Sequence, residues 1–354
     1  MSQVVRLSDV AKAAGVSQGT ASNVFNRPDI VRKEVRERVE AAARALGYSG
    51  PDPRGRLLRA GKVNAIGVAT AEPLSYFFDD PYARVLMTGI SRACDLQGAG
   101  ISLVSAANEE KLAWNIQSAI VDGFVLLCIE GGTRLVELTR ERKLPFVALG
   151  LEHDDETISM IGIDDHAGAH TVAAYVADLG HRHFAILSLQ LVDGHVGRVD
   201  DAAIAAAIYK SSRERIEGYR AALAERGIDP STVPVFETEN DRTSVMAALT
   251  ELFDSAGPPT ALLAMSDRIA LFALDWLAER GIAVPAEVSV VGFDGVPESA
   301  YSEPPLTTVS QPIEEIGRMA VELIFDDAKE TRRLSVPVDL TIRQSAAPPP
   351  ADRA

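Results

Sequence analysis

Cysteine is almost missing from these 354 residues: only Cys94 and Cys128 occur. They sit in apolar helix-like and strand-like contexts, which reads as buried reduced thiols rather than a disulfide or a metal pair. No run of eighteen apolar residues exists, so no membrane span is expected. The N-terminus has no basic-then-apolar signal pattern, which points to the cytoplasm. No repeat of solenoid length stands out. Carboxylate pairs occur at Asp79-Asp80, Asp154-Asp155 and Asp164-Asp165, but without a clear nucleophile, metal set or phosphate loop. His153 and His181-Arg182-His183 lack the spacing of a zinc site. Neither catalysis nor a cofactor is expected, and helix capping accounts for Asp164-Asp165.

Positive charge is also scarce, with a net charge of −15, yet it is unevenly placed. Residues 1–62 hold 12 Lys+Arg against 6 Asp+Glu, and the remainder holds 23 against 44. A basic head on an acidic body suits a protein that meets phosphates with one end only. That head reads as three helices. Ser8 is a good N-cap before Val10, Ala11 and Ala14, which share a helical face. Gly15 suits a tight turn. Ser17 then caps a second helix with Ala21, Val24 and Phe25 inward. Lys33 to Leu46 forms a third, with Val35, Val39, Ala42 and Leu46 on one side and Gly47 as its stop. Helix, Gly-containing turn and capped second helix is the form of a helix-turn-helix.

From about Val63 short apolar strands alternate with amphipathic helices. Strands are expected at 65–70, 101–105, 123–129, 146–149, 184–188, 261–265 and 289–293. Helices are expected at 82–97, 135–142, 168–178, 213–226, 244–253 and 267–280. This alternation implies parallel sheets wrapped by helices, which bind ligands at the carboxyl ends of their strands. The Pro/Ala-rich 346–350 stretch reads as disordered.

Several strings, in this order, resemble the lactose-repressor (LacI/GalR) family of bacterial transcription regulators. They are Leu7–Asn26, Arg36-Glu37-Arg38-Val39, Leu46-Gly47-Tyr48, Val121-Asp122-Gly123, Leu179-Gly180-His181-Arg182, Arg215 with Gly218-Tyr219, Ser289–Asp294 and Pro305–Val309. The resemblance covers Leu7 to about Ser345. It implies an all-α helix-turn-helix headpiece (1–48), a hinge (49–62) and an α/β core (63–347). The core would hold two parallel-sheet subdomains like those of periplasmic binding proteins, about 63–163 with 311–333, and 164–310 with 334–347. Residues 348–354 would form a disordered tail. Crossings between the subdomains are expected near Ile163–Asp164, Thr308–Gln311 and Arg333. A homodimer, double-stranded operator DNA and a small-molecule effector are the implied partners; without apolar heptads in the tail, no coiled-coil tetramer is expected.

By this resemblance Gln18, Gly19 and Asn23 face the major groove, with Ser17, Thr20, Ser22 and Asn26 beside them. Asn23 stands where the family commonly has Arg; Asn prefers adenine and Arg guanine, so an altered half-site is expected. Arg32 replaces a capping Ser and can reach a phosphate. Arg54 and Arg56 fall in the hinge with Leu58, which aligns with a Leu that wedges into the minor groove. Gly55 replaces an Ala at a helix cost of about 1 kcal/mol, so a hinge that folds on DNA is expected.

For the effector the resemblance implies Arg215 and Asp294, facing each other across a cleft. It adds Ser266 and Asp267 at another strand end, Phe78, Asp80 and Tyr82 in a lining loop, and Gln311 at a crossing. Gly150 stands where relatives often carry Asp. Gln190–Ser212 is longer than the usual connection and reads as a lid or a decorated loop. A sugar is expected before a nucleoside or another metabolite. A solute-binding protein or an enzyme on the same fold are the other classes.

Overall fold

The computed structural model describes residues 5–50, 62–127, 133–150, 155–192, 194–255, 257–326 and 330–351. The chain divides into two units, Met1–Val63 and Asn64–Ala354.

The first unit holds α1 (Leu7–Ala13), α2 (Gln18–Asn26) and α3 (Lys33–Leu46). Val10, Ala11, Ala21, Val24, Val39 and Ala43 form its core, with Phe25 edge-on to Tyr48. The turn between α1 and α2 passes through Gly15 at φ 65°, and Gly47 ends α3 at φ 70°. Both are left-handed conformations that glycine adopts without a Cβ clash. Ser17 caps α2, its hydroxyl accepting from Thr20 N at 3.0 Å. The expected cap of α1 is displaced: Arg6 is the N-cap, and Asp9 accepts from its amide at 2.9 Å, so Ser8 lies inside the first turn. Leu46 is 38% exposed rather than inward.

The second unit carries two sheets. In the first, β1 (Ala65–Thr70), β2 (Gly100–Ser105), β3 (Gly123–Leu127), β4 (Phe146–Leu149), β5 (Ser159–Ile163) and β12 (Arg333–Val336) lie in the order β12-β5-β4-β3-β1-β2, all parallel. In the second, β6 (Phe184–Ser188), β7 (Gly197–Val199), β8 (Val235–Glu237), β9 (Ala261–Ala264), β10 (Ser289–Asp294), β11 (Thr307–Ser310) and β13 (Asp339–Thr341) lie in the order β13-β11-β10-β9-β6-β8-β7. Only the edge strands β7 and β13 pair antiparallel there. The central strands are apolar on both faces because helices cover both.

Those helices are α4 (Tyr76–Asp79), α5 (Pro81–Gln97), α6 (Glu109–Ser118), α7 (Thr133–Glu141), α8 (Asp165–Asp178), α9 (Asp201–Ala205), α10 (Lys210–Glu225), α11 (Arg242–Asp254), α12 (Asp267–Glu279) and α13 (Ile313–Phe325). The strands and helices expected from the sequence agree within a few residues at each end, except that residues 128–132, with Cys128, lie outside the described part. Cys94 is buried and free. The sequence reading did not anticipate α4, α6, α13, β5, β7, β8, β12 or β13. The strand β11 overlaps the Pro305–Val309 string.

The chain crosses between sheets after Ile163 and after Ser310, near the expected places. The third crossing follows Val336 rather than Arg333, because β12 pairs Arg333–Val336 with Met160–Ile163 before the chain turns to β13. The expected disorder of 346–350 is also corrected. The Ala347 amide donates to Ser289 Oγ at 3.1 Å, and the Ala347 carbonyl lies 2.8 Å from His181 Nε2. His181 is fully buried, and Thr260 and Ser289 complete its hydrogen bonds, so the Gly-His-Arg turn is a structural anchor. Residues 352–354 lie outside the described part.

Candidate functional site

On the headpiece, Ser17, Gln18, Gly19, Asn23 and Asn26 are exposed along α2, while Thr20 and Ser22 are half-buried. Ser17 and Thr20 share a hydroxyl contact at 2.8 Å, and Asn26 Nδ2 donates to Ser22 Oγ at 3.1 Å. The polar side chains along this helix without such a contact among the described residues are Gln18 and Asn23, five residues or about 1.4 turns apart. Arg32 is exposed at the N-cap of α3 and makes no side-chain cap bond, as its chemistry requires. Arg54, Arg56 and Leu58 lie outside the described residues.

In the core, a cavity of about 520 Å³ opens between the two sheets at the carboxyl ends of their strands. That is where open α/β sheets offer loop backbone and helix N-termini to a ligand. Its floor is built around Arg215. Gly218 lets α10 press against α8, since a Cβ there would lie 2.3 Å from the His166 carbonyl oxygen. This approach brings Arg215 Nε within 2.6 Å of Asp165 Oδ1. The guanidinium also donates to the Met265 carbonyl, lies 3.9 Å from Asp294 and rests 3.7 Å over the Phe293 ring. Burial works against its charge, but Asp165 and Asp294 hold it protonated and raise its pKa. Burial pushes Asp165 up against the pull of Arg215, and pushes Asp294 well above the usual carboxylate range.

Asp294 and Arg215 thus sit on the same side of the cleft, not across it as the resemblance implied. Asp294 takes φ 119°, a region that L-residues rarely adopt. Gln311, at the second crossing, holds it: Nε2 donates to Asp294 Oδ1 at 2.8 Å and the Gln311 amide donates to the Asp294 carbonyl at 3.0 Å. Strain of this kind persists only where surrounding contacts over-determine it.

Asp80 reaches across from the other subdomain. Its Oδ1 caps α5 through Ala83 N at 3.1 Å, and its Oδ2 accepts from Asn240 Nδ2 at 3.1 Å and Arg268 Nη1 at 3.3 Å. Asn240, at φ 53°, accepts in turn from Ser266 Oγ at 2.8 Å, and Ser266 caps α12. An exposed pair, Arg84 with Glu298, also spans the cleft.

Of the residues expected at an effector site, Asp80, Tyr82, Arg215, Ser266, Asp294 and Gln311 line this cavity. Two do not. Phe78 is 65% exposed on α4, whose neighbours Tyr76 and Asp79 line the wall instead. Asp267 is fully buried behind it, accepting from Thr308 Oγ1 and, at 2.8 Å, from Val296 N. Burial pushes Asp267 up to about 7 against those hydrogen bonds. Both ends of Gln190–Ser212 line the cavity, through Gln190, Tyr209, Ser211 and Ser212. Its middle forms β7 and α9, extending the second sheet, and buried Glu237 pins its start by accepting from Leu191 N at 2.6 Å and Val192 N at 3.0 Å.

Sequence reasoning missed Asp165, Asn240 and Arg268. Asp164 does cap α8, through Ala167 N at 2.8 Å, but only one residue of a doublet can fill that place. Asp165 was therefore free to point inward. Arg268 adjoins the Ser266-Asp267 strand end, the signal that placed Ser266. Among the described residues no group of His, Cys, Asp or Glu is arranged to hold a metal ion.

Comparison with known proteins shows the family. The profile described as "Bacterial regulatory proteins, lacI family" matches residues 6–50, and that described as "Periplasmic binding protein-like domain" matches residues 173–346. The HTH-type transcriptional regulator Rv3575c of Mycobacterium tuberculosis is 37% identical over 98% of this chain and 97% of its own length. The chain belongs to the LacI family of transcriptional regulators. Among solved structures, a transcriptional regulator CelR–cellobiose complex is 28% identical with a TM-score of 0.69, covering 97% of this chain and 100% of that one. The Lac repressor dimer bound to operator and the anti-inducer ONPF is 25% identical with a TM-score of 0.76, covering 98% and 100%. No helix among the described residues of this LacI-family regulator is long and apolar enough to cross a membrane.

Proposed function

We propose that this regulator is a cytoplasmic, homodimeric repressor that binds a pseudo-palindromic operator and releases it when a small polar metabolite, a sugar or sugar derivative, occupies the core cleft. The observation that carries the reading is the cleft itself. Side chains from both subdomains and from a crossing converge there: Asp80 and Tyr82 from one, Arg215, Ser266 and Asp294 from the other, Gln311 between them. A ligand bonded to both sides binds one relative arrangement of the subdomains better than another, which is what an effector must do to shift an equilibrium. The cellobiose complex of CelR and the operator-bound Lac repressor dimer support the sugar and the dimer.

On DNA, Gln18 and Asn23 read base edges in the major groove, with Ser17, Gly19, Thr20, Ser22 and Asn26 alongside. Arg32 meets a phosphate. In the hinge, Arg54 and Arg56 contact the backbone and Leu58 enters the minor groove. A thermal-shift screen of the full chain against monosaccharides, disaccharides, sugar phosphates, nucleosides and small acids tests the effector reading. A sugar that raises Tm, and fails to do so in Arg215→Lys, supports it, because a cleft ligand stabilises the folded core. A nucleoside or acid as the sole stabiliser contradicts it.

A further inference from the structure

Charge along the cleft wall is one-sided. Arg215 is matched by Asp165 and Asp294, and Arg268 by Asp80. With those two cations engaged, Asp79, Glu239 and Asp241 still line the cavity, and none of the three forms an ion pair among the described residues. No lysine and no third arginine lines the cavity among the described residues. The surroundings have the same sign, since the chain beyond residue 62 holds 23 Lys+Arg against 44 Asp+Glu. A cleft of one sign with low-dielectric walls focuses the field and sets which ions enter.

Three helix N-termini at the cleft are already occupied by side chains. Asp80 occupies that of α5, Asp241 that of α11 through Ser244 N at 2.8 Å, and Ser266 that of α12. These caps fill the amide sites where a phosphate would otherwise bind. At α10 the N-cap, Tyr209, makes no side-chain cap bond, but Arg215, the cavity-lining cation in the helix's second turn, already faces two carboxylates. The rest of the lining carries groups suited to hydroxyls: Gln190 and Ser211, with the further donor and acceptor positions of Asn240 and Gln311, whose side chains already bond Asp80, Ser266 and Asp294.

We infer that the cleft selects uncharged polyhydroxy compounds and rejects their phosphorylated and carboxylated counterparts. The inference rests on the cleft being the effector site, and it narrows the ligand from sugars and sugar derivatives to unphosphorylated, non-acidic ones. Repulsion from Asp79, Glu239 and Asp241 acts on an incoming anion, while a neutral ligand meets only their hydrogen-bonding capacity.

The test is a calorimetric comparison of matched compounds on the full chain: neutral mono- and disaccharides, each against its 6-phosphate and its uronate. The uronate differs little in size from the parent sugar and so controls for steric fit. The neutral member should bind at least about tenfold more tightly than either anion at low salt, and the ratio should contract as salt screens the cleft. In the double variant Asp79→Asn/Glu239→Gln the ratio should fall severalfold, chiefly because the anionic member binds more tightly. An anion that binds as tightly as its neutral parent overturns the inference while leaving the cleft as an effector site. So does a preference that neither salt nor the double variant alters, since shape would then be the cause. Binding by no compound at millimolar concentration overturns the cleft reading and this inference with it.

Discussion

Arg215 Nε lies 2.6 Å from Asp165 Oδ1, and both side chains are almost fully buried at the cleft floor. The pair joins α10 to α8 and presents the guanidinium beside Asp294. Removing one partner leaves the other charged and buried, which costs about 3–5 kcal/mol. Arg215→Ala is therefore expected to lower the urea midpoint of the core substantially, and Asp165→Asn to lower it less. Denaturation of both variants, monitored by circular dichroism, checks this. Equal midpoints for wild type and Arg215→Ala would mean the pair contributes no net stability.

Asp80 does two jobs that substitution separates. Asp80→Ala removes a helix cap, worth about 1 kcal/mol, and also the acceptor shared by Asn240 and Arg268 across the cleft. Asp80→Asn keeps the cap oxygen but loses the charge facing Arg268. The alanine variant should be the less stable, and amide hydrogen exchange near Asn240 and Arg268 should quicken in both. Unchanged exchange there would show that the cross-cleft contacts do not hold these segments.

The buried carboxyl of Asp267 gives a pH dependence with a definite sign. Its pKa rises from an ordinary 3.8 to about 7 on folding. The folded state therefore holds a proton that the unfolded state releases. The associated stability is complete below about pH 4 and is lost as pH rises toward 7. In Asp267→Asn the amide oxygen can accept from Val296 N while Thr308 turns its hydroxyl to the Val309 carbonyl. That variant should show a flatter stability profile between pH 4 and pH 7 than wild type, read from Tm in matched buffers. Parallel profiles would assign the slope to Asp165 and Asp294, which burial shifts the same way.

Asn23 is exposed on α2 with no side-chain partner of its own among the hydrogen bonds described. Asn23→Arg should move the preferred base at one operator position from adenine to guanine, at about 1–3 kcal/mol of discrimination. In vitro selection of duplexes with each protein measures the shift. Identical selected sequences would take Asn23 out of the groove.

Much of this was legible before the structure because local rules and tertiary packing agree. Ser17, Gly15 and Gly47 announce the headpiece through capping and left-handed turns, which depend on a few neighbouring residues. Buried strands such as Phe184–Ser188 announce themselves as short apolar runs. By contrast, β12 and β13 lie at sheet edges with only exposed and half-buried positions, so they lack that signal. The cleft was legible at strand ends, where Ser266 and Asp294 lie, and at Arg215 in α10, but not in its pairings. Whether Asp165 caps a helix or meets Arg215 depends on the approach of α10 to α8, which Gly218 permits and no local pattern encodes. Asp267 and Phe78 show the same limit in reverse: a strand-end or loop position does not reveal which way the side chain turns.

The most direct test of the account is operator affinity with and without a cleft-binding sugar. An operator from in vitro selection and a sugar from the thermal-shift screen would be used with the full chain, by fluorescence anisotropy at fixed salt. The account predicts that the sugar weakens operator binding by about 5–150-fold, and that Arg215→Lys abolishes the change while still binding operator. Operator affinity that stays the same at saturating sugar would contradict the coupling of cleft to headpiece on which the account rests.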